Sequence, residues 1–255
     1  MTLRGSWAGG FLLVAAIAIW STVLAGNVQA AVAPLDDPVD TAVDAGLELV
    51  PLAARWWQWA MALPIEPVHD PDGRMCLLGR QTDVWFLAGT DGSRDDIFRE
   101  CEVPARLPLL VPLAIRYAAR PMTRSGASVD CSHLLQQVAM PPEGLQEVRV
   151  ELDGVVLEAG RTQRAQGHCF DPYPALPHVK DRPAPLAASD GYWLLLDPLP
   201  AGEHVLEVHA HYRHPEKPAV ETVQHYRYRL HVSWGQHFVR SRERPERHVG
   251  ASPAG

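Results

Sequence analysis

Apolar residues between positions 44 and 62 recur at three- and four-residue spacing, which is the pattern of one helix face. Leu52, Trp56 and Trp59 fall on that face, whereas Trp57 points away from it. Because each indole ring can bury roughly 150–250 Å², we expect Trp56 and Trp59 to pack the helix onto a core. An exposed platform for a sugar is the alternative, and Trp57 is the tryptophan that best suits ligand binding.

Beyond residue 70 the pattern changes to short apolar or alternating runs bounded by turn residues, which is typical of β-strands. Asp153-Gly154 separates two such runs and predicts a two-residue hairpin. Pro112 interrupts another run and predicts a bend or an edge position. The predicted strands cover 83–88, 97–103, 107–117, 147–152, 155–158, 192–196, 203–213 and 222–232. The proline-bearing stretch 163–189 is expected to be a long excursion.

Short strands after one leading helix favour a mainly β protein. The expected fold is an antiparallel β-sandwich, immunoglobulin-like or jelly-roll-like, with one packed N-terminal α-helix. A single domain is predicted over 44–238. We expect a poorly ordered lead-in over 31–43 before it and a disordered tail over 239–255 after it.

The first 30 residues have the pattern of a signal peptide. Arg4 is the single early charge, and the apolar run over 11–25 is shorter than the about 20 residues of a membrane helix. Val28 and Ala30 are small residues at the two positions that signal peptidase recognises. We therefore expect cleavage before Ala31, a periplasmic or extracellular protein and no membrane span after cleavage. A retained anchor is the alternative.

The negative net charge of the chain argues against two classes of binding partner. The formal net charge is −7 and becomes −8 once Arg4 is removed with the signal peptide. A chain of this sign is not expected to bind nucleic acid or anionic membrane surfaces.

Four cysteines, an even number in a chain with an export signal, indicate two disulfides. Four cysteines allow three connectivities. We favour Cys76–Cys101 with Cys131–Cys169, because each pair closes a local loop that has its own strand signals. A cysteine in a disulfide has no free thiolate, so Cys169 is not expected to act as a nucleophile beside His168.

The last two predicted strands place several histidines on one polar face. A hairpin register that sets His209 against His225 also sets Glu207 against Arg227, with His211 on the same face. Cross-strand Cβ atoms in such a pair are about 5 Å apart, close enough for two imidazoles to share a zinc or copper ion. A metal site at His209, His211 and His225 is therefore one hypothesis, and a polar outer face with a salt bridge is the other.

No catalytic signature accompanies these patterns, since the sequence has neither a G-x-S-x-G elbow nor an H-E-x-x-H motif. We expect no catalytic residue and, apart from zinc or copper, no cofactor. The sequence favours a non-catalytic binding or cell-envelope-associated protein whose partner is a carbohydrate or an envelope protein. The second hypothesis is a metal-binding protein or metal-dependent hydrolase that uses the histidine face.

Several stretches together resemble a family of exported bacterial proteins to which no function is assigned. They are WWQWAMALP from Trp56, the turn over 73–76, DVWFLAG from Asp83, RECEVP from Arg99 followed by LPLLVP, and DGYWLLLDPLPAGEH from Asp190. The stretches are spread over nearly the whole mature chain. The resemblance implies a secreted, disulfide-bonded β-fold and supplies no catalytic residue. The chain differs from that family at Ala105-Arg106, where the family usually has a glycine.

Overall fold

A computed structural model of the chain describes residues 47–78, 81–92, 96–123, 126, 128–177, 180 and 183–234. The predicted signal peptide (1–30), lead-in (31–43) and tail (239–255) lie outside the described residues. Within these ranges the protein is mainly β, with two mixed sheets and two α-helices. None of the helices described there has the length and apolarity needed to cross a membrane.

The helices are α1, Leu49–Ala62, and α2, Cys131–Val138. The described strands are β1 (Trp85–Phe86), β2 (Ile97–Pro104), β3 (Leu109–Ala119), β4 (Leu145–Leu152), β5 (Val155–Val156), β6 (Thr162–Phe170), β7 (Ala187–Leu196), β8 (Gly202–Arg213) and β9 (Glu221–Ser233). One sheet has the order β1-β3-β7-β6, and the other has the order β2-β9-β8-β4-β5. The β4–β5 hairpin is confirmed, with positive φ angles of 54° at Asp153 and 78° at Gly154 that suit its two-residue turn.

The prediction of wholly antiparallel sheets is wrong at two places. β1 runs parallel to β3, and β2 runs parallel to β9. Parallel neighbours require a long connection instead of a tight turn, so local hairpin signals in the sequence cannot reveal them.

The predicted excursion over 163–189 is also wrong at both ends, because it contains β6 and the start of β7. β6 is an edge strand, and only Ala165 among its side chains is fully buried. Its pairing with β7 also shifts register between Ala165 and His168. Such a strand lacks the apolar alternation from which strands are predicted.

Helix α2 was not predicted from the sequence. Asp130 caps its first turn by accepting a hydrogen bond from the backbone N–H of His133 at 2.9 Å. Leu134 and Val138, four residues apart, bury their side chains against Ala188 of β7. Two apolar positions over eight residues are too few to establish a helical period, so the capping aspartate was the available signal.

The two sheets share one core, built from the residues that alternate inward on β8 and β9 and from one face of β3 and β7. Helix α1 packs on the opposite face of the four-stranded sheet, where Trp56 and Trp59 lie against Leu110 and Trp193. Both indole N–H groups donate to backbone carbonyls, at 2.7 Å for Trp56 and 2.8 Å for Trp59.

Both favoured disulfides are confirmed. Cys76–Cys101 joins a short 3-10 turn to β2, and Cys131–Cys169 joins α2 to β6. Each link fastens a segment outside the sheets to a strand.

Candidate metal centre

The outer face of the five-stranded sheet carries the histidines singled out in the sequence. The register of β8 and β9 places His209 opposite His225 and Glu207 opposite Arg227, as the alternation predicted. Neighbouring residues such as Leu206 and Val208 are buried, which directs the polar set outward.

Three ligand atoms converge on this face. One atom from each of Glu207, His209 and His225 lies within 4.8 Å of the others. Glu207 Oε1 is 2.9 Å from His209 Nε2 and 3.8 Å from His225 Nε2. In a tetrahedral zinc site the ligand atoms are about 3.3 Å from one another. One of the two observed oxygen–nitrogen distances is shorter than this value and the other is longer. The set is a two-histidine, one-carboxylate group that leaves coordination positions open.

Two neighbouring residues hold these ligands in orientation. The Asp96 carboxylate contacts His225 Nδ1, and in the neutral ring a proton on that nitrogen would leave the Nε2 lone pair for a metal. Arg227 binds Glu207 Oε2 at 3.0 Å, so that Oε1 is the oxygen facing the imidazoles. The hydrogen bond from His209 lowers the pKa of Glu207, and Arg227 lowers it further against the effect of partial burial. Glu207 is therefore an anion at neutral pH.

The third predicted ligand, His211, is not in this cluster. It lies opposite Val223, and its Nε2 is 2.7 Å from Glu221 Oε1. The third candidate ligand is Glu207 instead, a residue for which the sequence had predicted only a salt bridge. Glu207 lies two residues before His209, so strand alternation puts both side chains on the same face, and this spacing could have identified it as a ligand. Asp96 had no such signal, because it reaches His225 through the parallel pairing of β2 with β9.

The cluster is partly open to solvent. Side-chain exposure is 24% for Glu207, 33% for His209 and 31% for His225. A metal held by these groups would keep contact with water, and an external ligand could reach its open positions.

Trp57, the predicted ligand-binding residue, belongs to α1, and its ring packs against Tyr117 of β3. Its ring is half-buried, with centroids 4.6 Å from Tyr117 and 4.9 Å from Trp56. Its indole N–H is buried and has no hydrogen-bond partner in the part of the chain that the structure describes. Ligand binding at Trp57 stays a prediction.

The chain matches no family model, no curated protein and no solved structure. The resemblance of its sequence stretches to an exported bacterial family therefore stays a prediction as well. What the histidine cluster can do chemically follows from its own residues.

Proposed function

We propose that this chain is an exported, non-catalytic protein that binds a divalent transition-metal ion, zinc or copper, on the outer face of a β-sandwich. The observation that carries the proposal is the convergence of Glu207, His209 and His225 within 4.8 Å. Imidazole and carboxylate ligands together suit zinc and copper. We call these three residues the sheet-face site.

The orientation of the ligands supports binding. Asp96 and Arg227 already hold His225 and Glu207 with the metal-facing atoms turned toward each other. Such outer contacts commonly raise metal affinity because the ligands lose little freedom on binding.

A sandwich is the architecture that best fits the two sheets. Leu109 and Leu194 of one sheet and Leu206 and Tyr228 of the other belong to a single core. Two sheets packed face to face over a shared core define this architecture. One parallel pair in each sheet distinguishes this chain from the wholly antiparallel immunoglobulin arrangement.

Export is supported by two independent features. The first 30 residues have the pattern of a signal peptide, and the structure contains two disulfides. Disulfides persist in oxidising compartments such as the periplasm and the extracellular space. We place the protein in one of these two compartments.

Binding is favoured over hydrolysis by the exposure of the site. Between a quarter and a third of each ligand side chain is exposed. A water molecule on the metal would therefore be in contact with bulk solvent, whereas many active sites close around the substrate and expel bulk water, which strengthens the electrostatic interactions inside. Storage, transfer or sensing of the ion fits this geometry better than turnover.

Isothermal titration calorimetry with zinc and copper(II) chloride tests the proposal, using the exported protein purified without an affinity tag. We expect one ion per chain and a loss of affinity of at least about tenfold in His209→Ala. Asp96→Asn should weaken binding in the same direction, because it loosens His225. His211→Ala is the matched control and should bind as the parent does.

Equal affinities for His209→Ala and His211→Ala would contradict the site. Absence of saturable binding to the parent protein would contradict the function.

A further inference from the structure

A cleft of about 790 Å³ lies where β6, the turn after β8 and the segment after α2 meet. Arg164 of β6 lines it from the four-stranded sheet, and His214 lines it from the turn that follows β8 in the five-stranded sheet. The segment after α2, including Pro141 and Pro142, supplies a third wall. Concave sites that combine apolar walls with a few polar groups are typical of ligand binding. This one lies apart from the sheet-face site.

His214 offers the cleft a single hydrogen-bond donor. The residue is only 5% exposed, and its Nδ1 accepts from the backbone N–H groups of Glu216 at 3.1 Å and Lys217 at 3.2 Å. Two donors on Nδ1 require the ring proton to be on Nε2. Among the described residues no group accepts from Nε2, and this atom is not one of the buried unpaired atoms, so it reaches solvent. A solvent-facing donor on an otherwise buried ring is open to an acceptor on a ligand.

Arg164 offers a fixed pair of donors. Its Nε and Nη2 donate to the two carboxylate oxygens of Asp190 at 2.9 and 2.6 Å. Asp190 is itself only 4% exposed and also accepts from the backbone N–H of Met140 at 3.0 Å. The guanidinium is therefore held in place. Its two Nη1 hydrogens and the second Nη2 hydrogen remain free to donate to another acceptor. That edge of a guanidinium matches the two oxygens of a carboxylate.

A second arginine lies next to the pair of Arg164 and Asp190. Arg116 lies opposite Asp190 in the β3–β7 register, and the Asp190 carboxylate that pairs with Arg164 also acts on Arg116 through its charge. Arg116 Nη1 and the Tyr212 hydroxyl are both buried without a hydrogen-bond partner among the described residues. A buried excess of one sign favours a ligand of the opposite sign.

The rim of the cleft is mixed in charge and exposed. Glu143, Glu216 and Lys217 stand at the mouth, where solvent screens them, and Pro215 adds to the apolar walls. The charged base and the apolar walls together select a ligand with both an anionic group and a carbon skeleton.

We propose that this cleft binds a small carboxylate, whose oxygens are held by the free edge of Arg164 and by His214 Nε2–H and whose carbon skeleton lies against the prolines. At the rim, Lys217 attracts the carboxylate, while Glu143 and Glu216 repel it and limit the affinity. Neither the sheet-face site nor a metal takes part in this binding.

The test is a titration of ¹⁵N-labelled, metal-free protein with sodium propionate at constant ionic strength, followed by NMR of the Arg164 Nε–H and His214 Nε2–H signals. We expect saturable shifts of both signals. His214→Asn retains a side-chain acceptor for the two backbone N–H groups and removes the Nε2 donor, so affinity should fall about tenfold. Lys217→Ala should weaken binding about two- to fivefold, and Lys180→Ala, the matched control, should not change it.

Arg164 is left intact in these variants because its removal would leave Asp190 buried and unpaired. Shifts that rise linearly with propionate, or that are the same in His214→Asn and the parent, would overturn the proposal. Tighter binding of inorganic phosphate than of propionate would overturn the assignment to a carboxylate.

Discussion

Arg99 is a buried residue whose side chain connects several segments of the molecule, and it belongs to neither of the two proposed binding sites. It is 1% exposed, and its guanidinium donates to the Tyr228 hydroxyl at 3.3 Å. It also donates to four backbone carbonyls, those of Val68, Asp70, Ala88 and Gly89, at 2.6–3.1 Å. Val68 belongs to a short 3-10 turn, and the other three carbonyls belong to irregular segments. One side chain therefore satisfies the backbone of two loops and ties both to β2.

Replacement of Arg99 by lysine should lower the free energy of unfolding by about 2–4 kcal/mol. An ammonium group is a compact point charge with three donors, so it cannot reach both loops as the planar guanidinium does. Urea denaturation measures the change. Arg74→Lys is the control, because Arg74 is exposed and pairs with Asp72 at the surface, and its substitution should change stability by no more than about 0.5 kcal/mol. Equal effects of the two substitutions would contradict the role assigned to Arg99.

At the scale of elements, the sequence predicted local pairings and missed distant ones. The register of β8 and β9 followed from alternation over two adjacent strands, since a shift of one residue would turn their apolar side chains into solvent. The pairing of β2 with β9 joins Arg99 to Tyr228, which are far apart in the chain, and no local pattern encodes it. For this reason two ligands of the sheet-face site were predicted, while the supporting Asp96 was found only in the structure.

The start of β8 carries a histidine, His204, that links two elements. His204 Nδ1 is 2.7 Å from the Asp153 carboxylate in the β4–β5 turn, and its Nε2 is 2.9 Å from the Pro200 carbonyl. Since both ring nitrogens face acceptors, the doubly protonated imidazolium satisfies both contacts. Burial lowers the pKa of His204, but the hydrogen bonds to Asp153 and Pro200 outweigh it and raise the pKa above its usual value.

A raised pKa in the folded state stabilises the protein at low pH. The contribution is fully present below the unfolded pKa of about 6.5 and is lost as pH rises through the folded pKa. His204→Gln should therefore cost a few tenths to about 1 kcal/mol near pH 6 and less near pH 9, since the pair is partly solvated. Urea denaturation across this range measures the difference. His133→Gln, an exposed histidine of α2 bonded to Gln137, is the control. A His204→Gln cost that does not change with pH would contradict the ion pair.

At the scale of the whole molecule, the two sheets differ in what covers them. β3 and β7 are buried on both faces over most of their length, because the core lies on one side and α1 on the other. β8 and β9 alternate between buried and exposed residues. The sequence already contained this difference, as a continuous apolar run in DGYWLLL and as strict alternation in the last two strands. The sheet-face site lies on the sheet whose outer side chains are open to ligands.

The covering of the four-stranded sheet by α1 leads to the last prediction. Trp56 is fully buried, donates to the Leu87 carbonyl at 2.7 Å and packs against Trp193 with ring centroids 5.5 Å apart. Trp56→Ala should cost about 3–5 kcal/mol, as other large truncations in a core do. Many domains have only about 5–15 kcal/mol to lose, so this variant should melt early or accumulate poorly. Trp57→Ala is the matched control on the same helix, and the half-buried position of that ring predicts a smaller loss. Thermal unfolding of both variants beside the parent measures the difference. A Trp56→Ala variant that melts like the parent would show that α1 does not depend on this packing and would favour the exposed tryptophan platform.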